Sequence, residues 1–140
     1  MASRSDLQKM IRRLVLASAA DGRVSCLWLE GDSLADAQSP SNAIDAHVAL
    51  ADPDHEPFFR GHESFLRSCG TVVEHEDEEV PNGGRLCMAS FPGNVRVRLS
   101  MERRSLLAKR LRKAVVPLED KMGGQLRYVL SYAPGHQMGT

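Results

Sequence analysis

The feature that most constrains the fold is a pair of short apolar segments that follow an amphipathic helical pattern near the N-terminus. The segments are 23–29 (RVSCLWL) and 43–51 (AIDAHVALA). Apolar runs of this length are typical of buried strands. Side chains alternate between the two faces of a strand, so Asp45 and His47 project from one face of the second segment and apolar residues project from the other. The pattern predicts a sheet that buries one face and carries two titratable groups on the opposite face.

The remaining hydrophobic periodicity predicts helices on either side of further strands. In chain order we expect a helix at 5–20 with Ser5 as its N-cap, strands at 23–29 and 43–51, a helix at 57–68, an acidic loop at 74–79, a hairpin of strands at 85–91 and 95–101, a helix at 102–113, a short extended piece at 114–119 and a strand at 126–132. The sequence therefore predicts an α/β (α+β) fold, a mixed β-sheet with flanking helices. Residues 1–132 are expected to form a single domain and residues 133–140 a flexible tail.

Length and charge exclude several classes of protein. The chain has 140 residues, which suits one domain, and 18 basic residues balance 18 acidic residues. A general nucleic-acid-binding protein normally carries a basic excess, so we expect no nucleic-acid partner. The acidic run 74–79 and the basic stretch 96–112 are interpreted as solvated surfaces. Two alternatives remain: the basic stretch binds an anion, or the acidic and basic stretches contact each other.

Cysteine spacing and hydropathy predict a reduced, soluble protein. Cys26, Cys69 and Cys87 lie far apart without a CxxC pair, which argues against a disulfide framework or a zinc site. There is no apolar core of signal-peptide length and no run of about 20 apolar residues. We therefore expect a cytoplasmic protein with no membrane partner, and a homodimer is left open.

Several titratable residues are candidates for chemistry. Asp45 and His47 on one strand face could act as a general acid/base pair, or they could simply be polar residues that line a pocket. Four further residues have a spacing that is compatible with a metal site, or they are simply polar residues on the surface. They are Asp54, His55, His62 and Glu63.

Segment 27–50 resembles a nucleotidyltransferase signature of the aminoglycoside/streptomycin or minimal type. That family shows a strand that ends in Gly-Ser, then a loop, then a strand that carries Asp-x-Asp. Here LWLEGD ends at Gly31–Asp32, and SNAIDAHVAL occupies the place of the Asp-x-Asp strand. Further along, 94–99 (NVRVRL) is similar to the strand with the family's third carboxylate, and 115–126 to its next strand and turn. The likeness covers roughly residues 10–130.

The resemblance implies a two-metal site in which three carboxylates hold Mg²⁺. Carried over position by position, the glycine is retained as Gly31 and the serine position is Asp32. The first aspartate position is Ala43, the second is retained as Asp45, and the third is Arg98. One carboxylate cannot replace three around two divalent ions. We expect Arg98 to lie beside Asp45 and to supply the positive charge in place of the metal.

These observations predict a repurposed nucleotidyltransferase-like protein with a degenerate active site, whose former nucleotide cleft binds or converts a small-molecule ligand without metal and without a cofactor. Specialised metabolism is a setting that would fit. The predicted catalytic residues are Asp45, His47 and Arg98, and the predicted ligand-binding residues are Gly31, Asp32, Ser33 and Arg96. Whether the chain is an enzyme stays open. The alternatives are a non-catalytic partner or regulatory subunit, and a residually active Mg²⁺-dependent nucleotidyltransferase.

Overall fold

A six-stranded sheet organises the part of the chain that the computed structural model describes, which is residues 3–30, 43–80, 84–109 and 115–122. The elements are α1 (Arg4–Ala20), β1 (Val24–Glu30), β2 (Ile44–Leu50), α2 (Asp52–Arg60), α3 (His62–Cys69), β3 (Glu74–Val80), β4 (Gly84–Phe91), β5 (Val95–Arg103), a 3-10 helix (Arg104–Lys109) and β6 (Val115–Asp120). The strand order is β3-β4-β5-β2-β1-β6. β2 and β5 run parallel and the other neighbours are antiparallel. The sequence-based expectation of a mixed sheet with flanking helices is confirmed.

The first helix begins with a capping box. The side chain of Ser3 accepts a hydrogen bond from the Asp6 backbone N–H at 3.0 Å, and the Asp6 carboxylate accepts one from the Ser3 N–H at 3.4 Å. Two backbone donors that the helix leaves unpaired are thereby satisfied. The cap is Ser3, two residues before the expected Ser5. Leu7, Met10 and Leu14 then follow helical spacing and are buried against the sheet.

The three helices cover one face of the sheet. A single apolar cluster joins α1, Phe58 of α2 and Phe65 of α3 to inward-facing residues of the central strands β1, β2, β4 and β5. Ile44 and the alternate residues of β2 belong to this cluster, as the alternation predicted. The opposite face carries a smaller apolar cluster that includes Trp28 of β1 and Leu107 of the 3-10 helix. Asp45 and His47 lie on this second face.

Three elements differ from the sequence-based expectation. The helix expected at 57–68 is two helices that meet at Gly61, and the first begins at Asp52, inside the expected turn. Its first turn accommodates Pro53, because the first backbone N–H groups of a helix need no partner within it. The acidic run forms β3 rather than a loop, since its backbone pairs with β4 along its whole length. β5 continues to Arg103, where a helix was expected, and a 3-10 helix follows.

The strand expected at 126–132 and the tail at 133–140 lie outside the described residues. The hairpin of β4 and β5 is confirmed, with Gly93 and Asn94 at positive φ values of 82° and 62° in its turn. No helix in the described part of the chain has the length and apolar character that crossing a bilayer requires.

Candidate active site on the open face of the sheet

A buried imidazole surrounded by carboxylates lies on the sheet face opposite α1, α2 and α3, which we call the open face because none of these three helices packs on it. Nδ1 of His47 is 2.6 Å from Oε2 of Glu102 and 3.5 Å from Oε2 of Glu30. Nε2 is 2.9 Å from Oδ1 of Asp45, an ion pair with poor hydrogen-bond alignment. His47 is 6% exposed and Glu30 is 4% exposed. Three strands therefore direct carboxylates at one ring.

The strand pairing explains how these side chains meet. His47 of β2 lies opposite Trp28 of β1, and the two rings stack with their centroids 5.4 Å apart. Glu30 follows Trp28 by two residues, so it shares the same face, and its Oε2 accepts a hydrogen bond from Nε1 of Trp28 at 2.8 Å. On the other side, Glu102 of β5 is the register partner of Ala49, one step along the same face from His47.

The charge of His47 follows from these contacts. Burial by itself lowers the pKa of a histidine, because the low-dielectric interior disfavours the charged form. The contacts with Asp45 and Glu102 favour the charged form and outweigh burial, so the pKa of His47 is raised above its ordinary value. The carboxylates around the ring therefore favour its protonated, cationic form.

Arg98 lies beside Asp45 in the sheet, but the expected ion pair between the two side chains is not observed. It is the register partner of Asp45 across the parallel pair of β2 and β5, as the resemblance implied. However, Arg98 is exposed, and none of the ion pairs between described residues includes it. The Asp45 carboxylate contacts Nε2 of His47 instead, at 2.9 Å. Arg96 is likewise exposed on the same strand face.

Two carboxylates of this site were missed by sequence reasoning, and three predicted residues cannot be placed. Glu30 was assigned to the segment that ends the first strand, and Glu102 was assigned to a helix. A signal for Glu102 existed, because the alternation of Arg98 and Ser100 extends to it. The predicted ligand-binding residues Gly31, Asp32 and Ser33 lie outside the described residues.

The described residues do not fit the pair of Mg²⁺ ions that the resemblance implies. Mg²⁺ requires oxygen ligands in near-octahedral geometry, with several waters retained. Here the carboxylates of Asp45, Glu30 and Glu102 converge on a single imidazole, with both ring nitrogens turned toward them. A nitrogen donor at the centre of the carboxylates does not match the all-oxygen ligand set that Mg²⁺ prefers.

The alternative metal set suggested by sequence spacing does not converge. Nε2 of His55 is 3.0 Å from the backbone oxygen of Met101, and the Glu63 carboxylate pairs with Arg67 one helical turn away. His62 instead lies 2.8 Å from Asp77 of β3. The spacing argument failed because Gly61 separates two helices, so residues 54–63 do not share one helix face.

A groove of about 580 Å³ lies on the helix side of the sheet and not at Asp45. Its polar lining includes Lys9, Arg13 and Arg67, and its apolar lining includes Met10 and Phe91, which belong to the helix-side core. The groove and the His47 site thus lie on opposite faces of the sheet.

Comparison with known proteins finds similarity at the level of fold. No protein-family model and no curated protein sequence matches the chain. A solved structure that it resembles is the crystal structure of an aminoglycoside 6-adenyltransferase from Bacillus subtilis, with a TM-score of 0.52 and 12% sequence identity over 76% of this chain. The chain spans 37% of the length of that protein. The described part of this chain therefore has a nucleotidyltransferase-like α/β fold.

Proposed function

We propose that the open face of the sheet binds a small polar molecule at Asp45 and exchanges a proton with it through His47, without a metal ion. The observation that carries the proposal is the position of His47 between Glu102 at 2.6 Å and Asp45 at 2.9 Å. A buried histidine whose pKa is raised by carboxylate partners is a candidate for a functional site, and an acid/base group must lie within hydrogen-bond reach of the proton it transfers.

Asp45 is the member of the cluster that a ligand can reach. Its side chain is 25% exposed, compared with 15% for Glu102, 7% for His47 and 5% for Glu30. A ligand hydroxyl or amino group would donate a hydrogen bond to the Asp45 carboxylate. His47 would hold or release the exchanged proton, and Glu102 would orient the ring through Nδ1.

The neighbouring arginines indicate the second half of the ligand. Arg98 lies beside Asp45 in the sheet, and Arg96 precedes it by two residues on the same face. Guanidinium groups bind carboxylates and phosphates in a two-pronged geometry. The ligand class that fits is a small molecule with a hydroxyl or amino group for Asp45 and an anionic group for the arginines.

An interaction protein is less well supported. Of the described residues, the large apolar side chains that are exposed are Leu16 of α1, Val73 before β3 and Val116 of β6. They lie on three different segments, whereas a docking surface normally presents a contiguous apolar patch. The features that distinguish this chain are polar and lie at His47.

The decisive experiment compares nucleotide binding with and without Mg²⁺. We expect isothermal titration with ATP to give no Mg²⁺-dependent binding in the wild-type chain. A panel of small zwitterionic and phosphorylated molecules, followed by two-dimensional NMR, should include ligands that shift the signals of Asp45, His47 and Arg98. Asp45→Asn should weaken that binding, while Arg13→Gln, in the groove on the other face, should leave it unchanged.

Two outcomes would contradict the proposal. Mg²⁺-dependent ATP binding that is lost in Asp45→Asn would show that the site retains nucleotide chemistry. Ligands that shift only the signals around Arg13 would move the binding site to the helix side of the sheet.

A further inference from the structure

A second cluster of titratable side chains lies at the edge of the sheet, on the face that the helices cover. It is formed by His62 at the start of α3, His75 and Asp77 on one face of β3, and Cys87 on β4. Cys87 is the direct register partner of Asp77. One ligand atom from each of the four side chains lies within 4.8 Å of all the others.

The side chains converge on a small volume. Nε2 of His62 is 2.8 Å from Oδ1 of Asp77, and Nδ1 of His75 is 3.5 Å from the same oxygen. Within the described part of the chain, Nδ1 of His75 is buried and makes no hydrogen bond. Two imidazoles and a thiol thus surround one carboxylate oxygen, and one of the ring nitrogens has no hydrogen bond there.

His62 is held by a hydrogen bond at the ring nitrogen that faces away from the cluster. Nδ1 of His62 donates to the backbone oxygen of Phe59, which leaves Nε2 as the atom that faces the cluster. The Phe59 ring stacks on His62 at 5.0 Å, and the Arg85 guanidinium lies 4.4 Å from the Phe59 centroid. This arrangement, with the outer nitrogen bonded to a carbonyl, is how metal-ligating histidines are usually oriented.

His75 has a longer contact at its outer nitrogen. Its Nε2 lies 4.0 Å from the carboxylate of Glu63 on α3, while Nδ1 faces the cluster. A carboxylate behind the outer nitrogen raises the basicity of the inner one and is a recurrent partner of zinc-bound histidine. Each ring therefore presents one nitrogen to the cluster and has the other in contact with an oxygen.

We propose that His62, His75, Asp77 and Cys87 bind one Zn²⁺ ion. Two imidazole nitrogens, a thiolate and a carboxylate oxygen form a tetrahedral zinc donor set, whereas Mg²⁺ and Ca²⁺ prefer oxygen alone. With zinc–ligand bonds of about 2.0–2.3 Å, tetrahedral geometry puts the ligand atoms about 3.4–3.6 Å apart. The observed separations of 2.8 and 3.5 Å, with an upper limit of 4.8 Å, bracket that spacing.

The charges also balance. A thiolate and a carboxylate offset the two positive charges of Zn²⁺, and two neutral imidazoles complete the site, so the half-buried centre is neutral. With four ligands from the chain the site is closed, which is characteristic of structural zinc. The ion connects α3 to β3, an edge strand whose outer face carries Glu74, Glu76 and Glu78 and whose only sheet neighbour among the described strands is β4.

Nothing in this proposal depends on the activity at His47. Cys87 and Leu99, its register partner on β5, belong to the helix-side core, whereas His47 lies on the opposite face. The two sites can therefore be tested separately in the same protein.

The test measures metal content and metal geometry in the full chain. After dialysis against a chelator, the protein is titrated with Zn²⁺ in competition with a chromophoric chelator, and with Co²⁺ as a spectroscopic substitute. We expect one Zn²⁺ per chain. Bound Co²⁺ should show the strong visible absorption of tetrahedral coordination together with a thiolate charge-transfer band.

Four variants make the test specific. His75→Gln and Cys87→Ser should each weaken Zn²⁺ binding at least a hundred-fold, beyond the 10–100-fold loss typical of second-shell changes. Cys87→Ser should also remove the thiolate band. Glu76→Gln, on the same strand but the other face, and Cys69→Ala, a buried thiol outside the cluster, should bind as the wild type does.

The His75→Gln variant keeps the test valid if Cys87→Ser does not fold. The His75 side chain is 27% exposed, so its substitution is better tolerated than that of the buried Cys87. Failure of the wild-type chain to retain Zn²⁺ against the competitor would overturn the proposal. Retention that His75→Gln and Cys87→Ser leave unchanged would also overturn it, since the ion would then lie elsewhere.

Discussion

The buried contacts of His47 with carboxylates predict that substitution of this residue lowers the stability of the fold by an amount that depends on pH. Removing one member of a buried ion pair leaves its partners in a poorly solvated environment and costs about 3–5 kcal/mol. His47 is 6% exposed and contacts Glu102 and Asp45 at 2.6 and 2.9 Å. Glutamine keeps an amide that can donate to one carboxylate. We therefore expect His47→Gln to lower the free energy of unfolding by about 3 kcal/mol near pH 6.

The direction of the pH dependence follows from the raised pKa of His47. Burial lowers that pKa, but the contacts with Asp45 and Glu102 outweigh burial. The resulting stabilisation is fully present below the unfolded-state pKa of about 6.5 and is lost as the pH rises through the folded-state pKa. Each unit between the two pKa values is worth about 1.4 kcal/mol. The difference between wild type and His47→Gln should therefore shrink from about pH 6.5 upward.

Urea unfolding over this pH range measures the effect, with far-ultraviolet circular dichroism as the main signal. Trp28 is the single tryptophan of the chain and stacks on His47, so its fluorescence gives a second, local signal. A double-mutant cycle with Glu102→Gln isolates the pair, and we expect a coupling of about 1.5–3 kcal/mol near pH 6. A stability difference that stays constant with pH, or a coupling close to zero, would refute the reasoning.

Three further substitutions, two of them with a matched control variant, test the fold and the site. Ser3→Ala removes the side chain of the capping box and should cost about 1 kcal/mol in thermal unfolding, while Ser5→Ala, the position first expected to cap the helix, should cost less than about 0.5 kcal/mol. Phe58→Ala empties a fully buried position and should cost about 3–5 kcal/mol in urea, against less than about 0.5 kcal/mol for Leu16→Ala at a position 64% exposed. Arg98→Gln, at an exposed position, should change the free energy of unfolding by less than about 0.5 kcal/mol. It should weaken the binding of anionic ligands at Asp45. An affinity equal to that of the wild type would show that Arg98 does not belong to the site.

The strands with clear alternation could be predicted from sequence. In β2 and β5 one face is buried under the helices, so apolar and polar residues alternate along each strand. This alternation correctly predicted that Asp45 and His47 lie on the same face of β2. The parallel register of Asp45 with Arg98 also agreed with the resemblance. These are local patterns, or patterns that a shared fold preserves.

The acidic strand β3 could not be predicted in this way. Its sequence, EHEDEEV, contains one apolar residue, so no hydrophobic signal marks it as a strand. Backbone pairing with β4, the next strand along the chain, determines its conformation, and backbone hydrogen bonds do not require apolar side chains. Charged side chains at a sheet edge also hinder pairing with another chain.

The set of residues that form the His47 site could not be predicted from sequence either. Glu30 and Glu102 are 72 residues apart in numbering and meet at one ring only because β1 and β5 both neighbour β2. Likewise, the four residues of the proposed zinc cluster come from α3, β3 and β4, so none of the short spacings that usually indicate zinc is present. Sequence spacing detects sites built on one segment and misses those assembled by sheet order.

The two clusters differ in where their positive charge comes from, and this difference can be measured. At the open face the cation that we propose is protonated His47, whose short side chain reaches carboxylates from both neighbouring strands, whereas the longer Arg98 is exposed. A cation that is part of the chain cannot be removed by chelation. At the sheet edge the proposed cation is an ion, which can be removed. A chelator should therefore lower the thermal stability and raise hydrogen exchange in α3 and β3, while ligand binding at Asp45 is retained. Loss of that binding on chelation would show that the open face also needs a metal, and the role assigned to His47 would then be wrong.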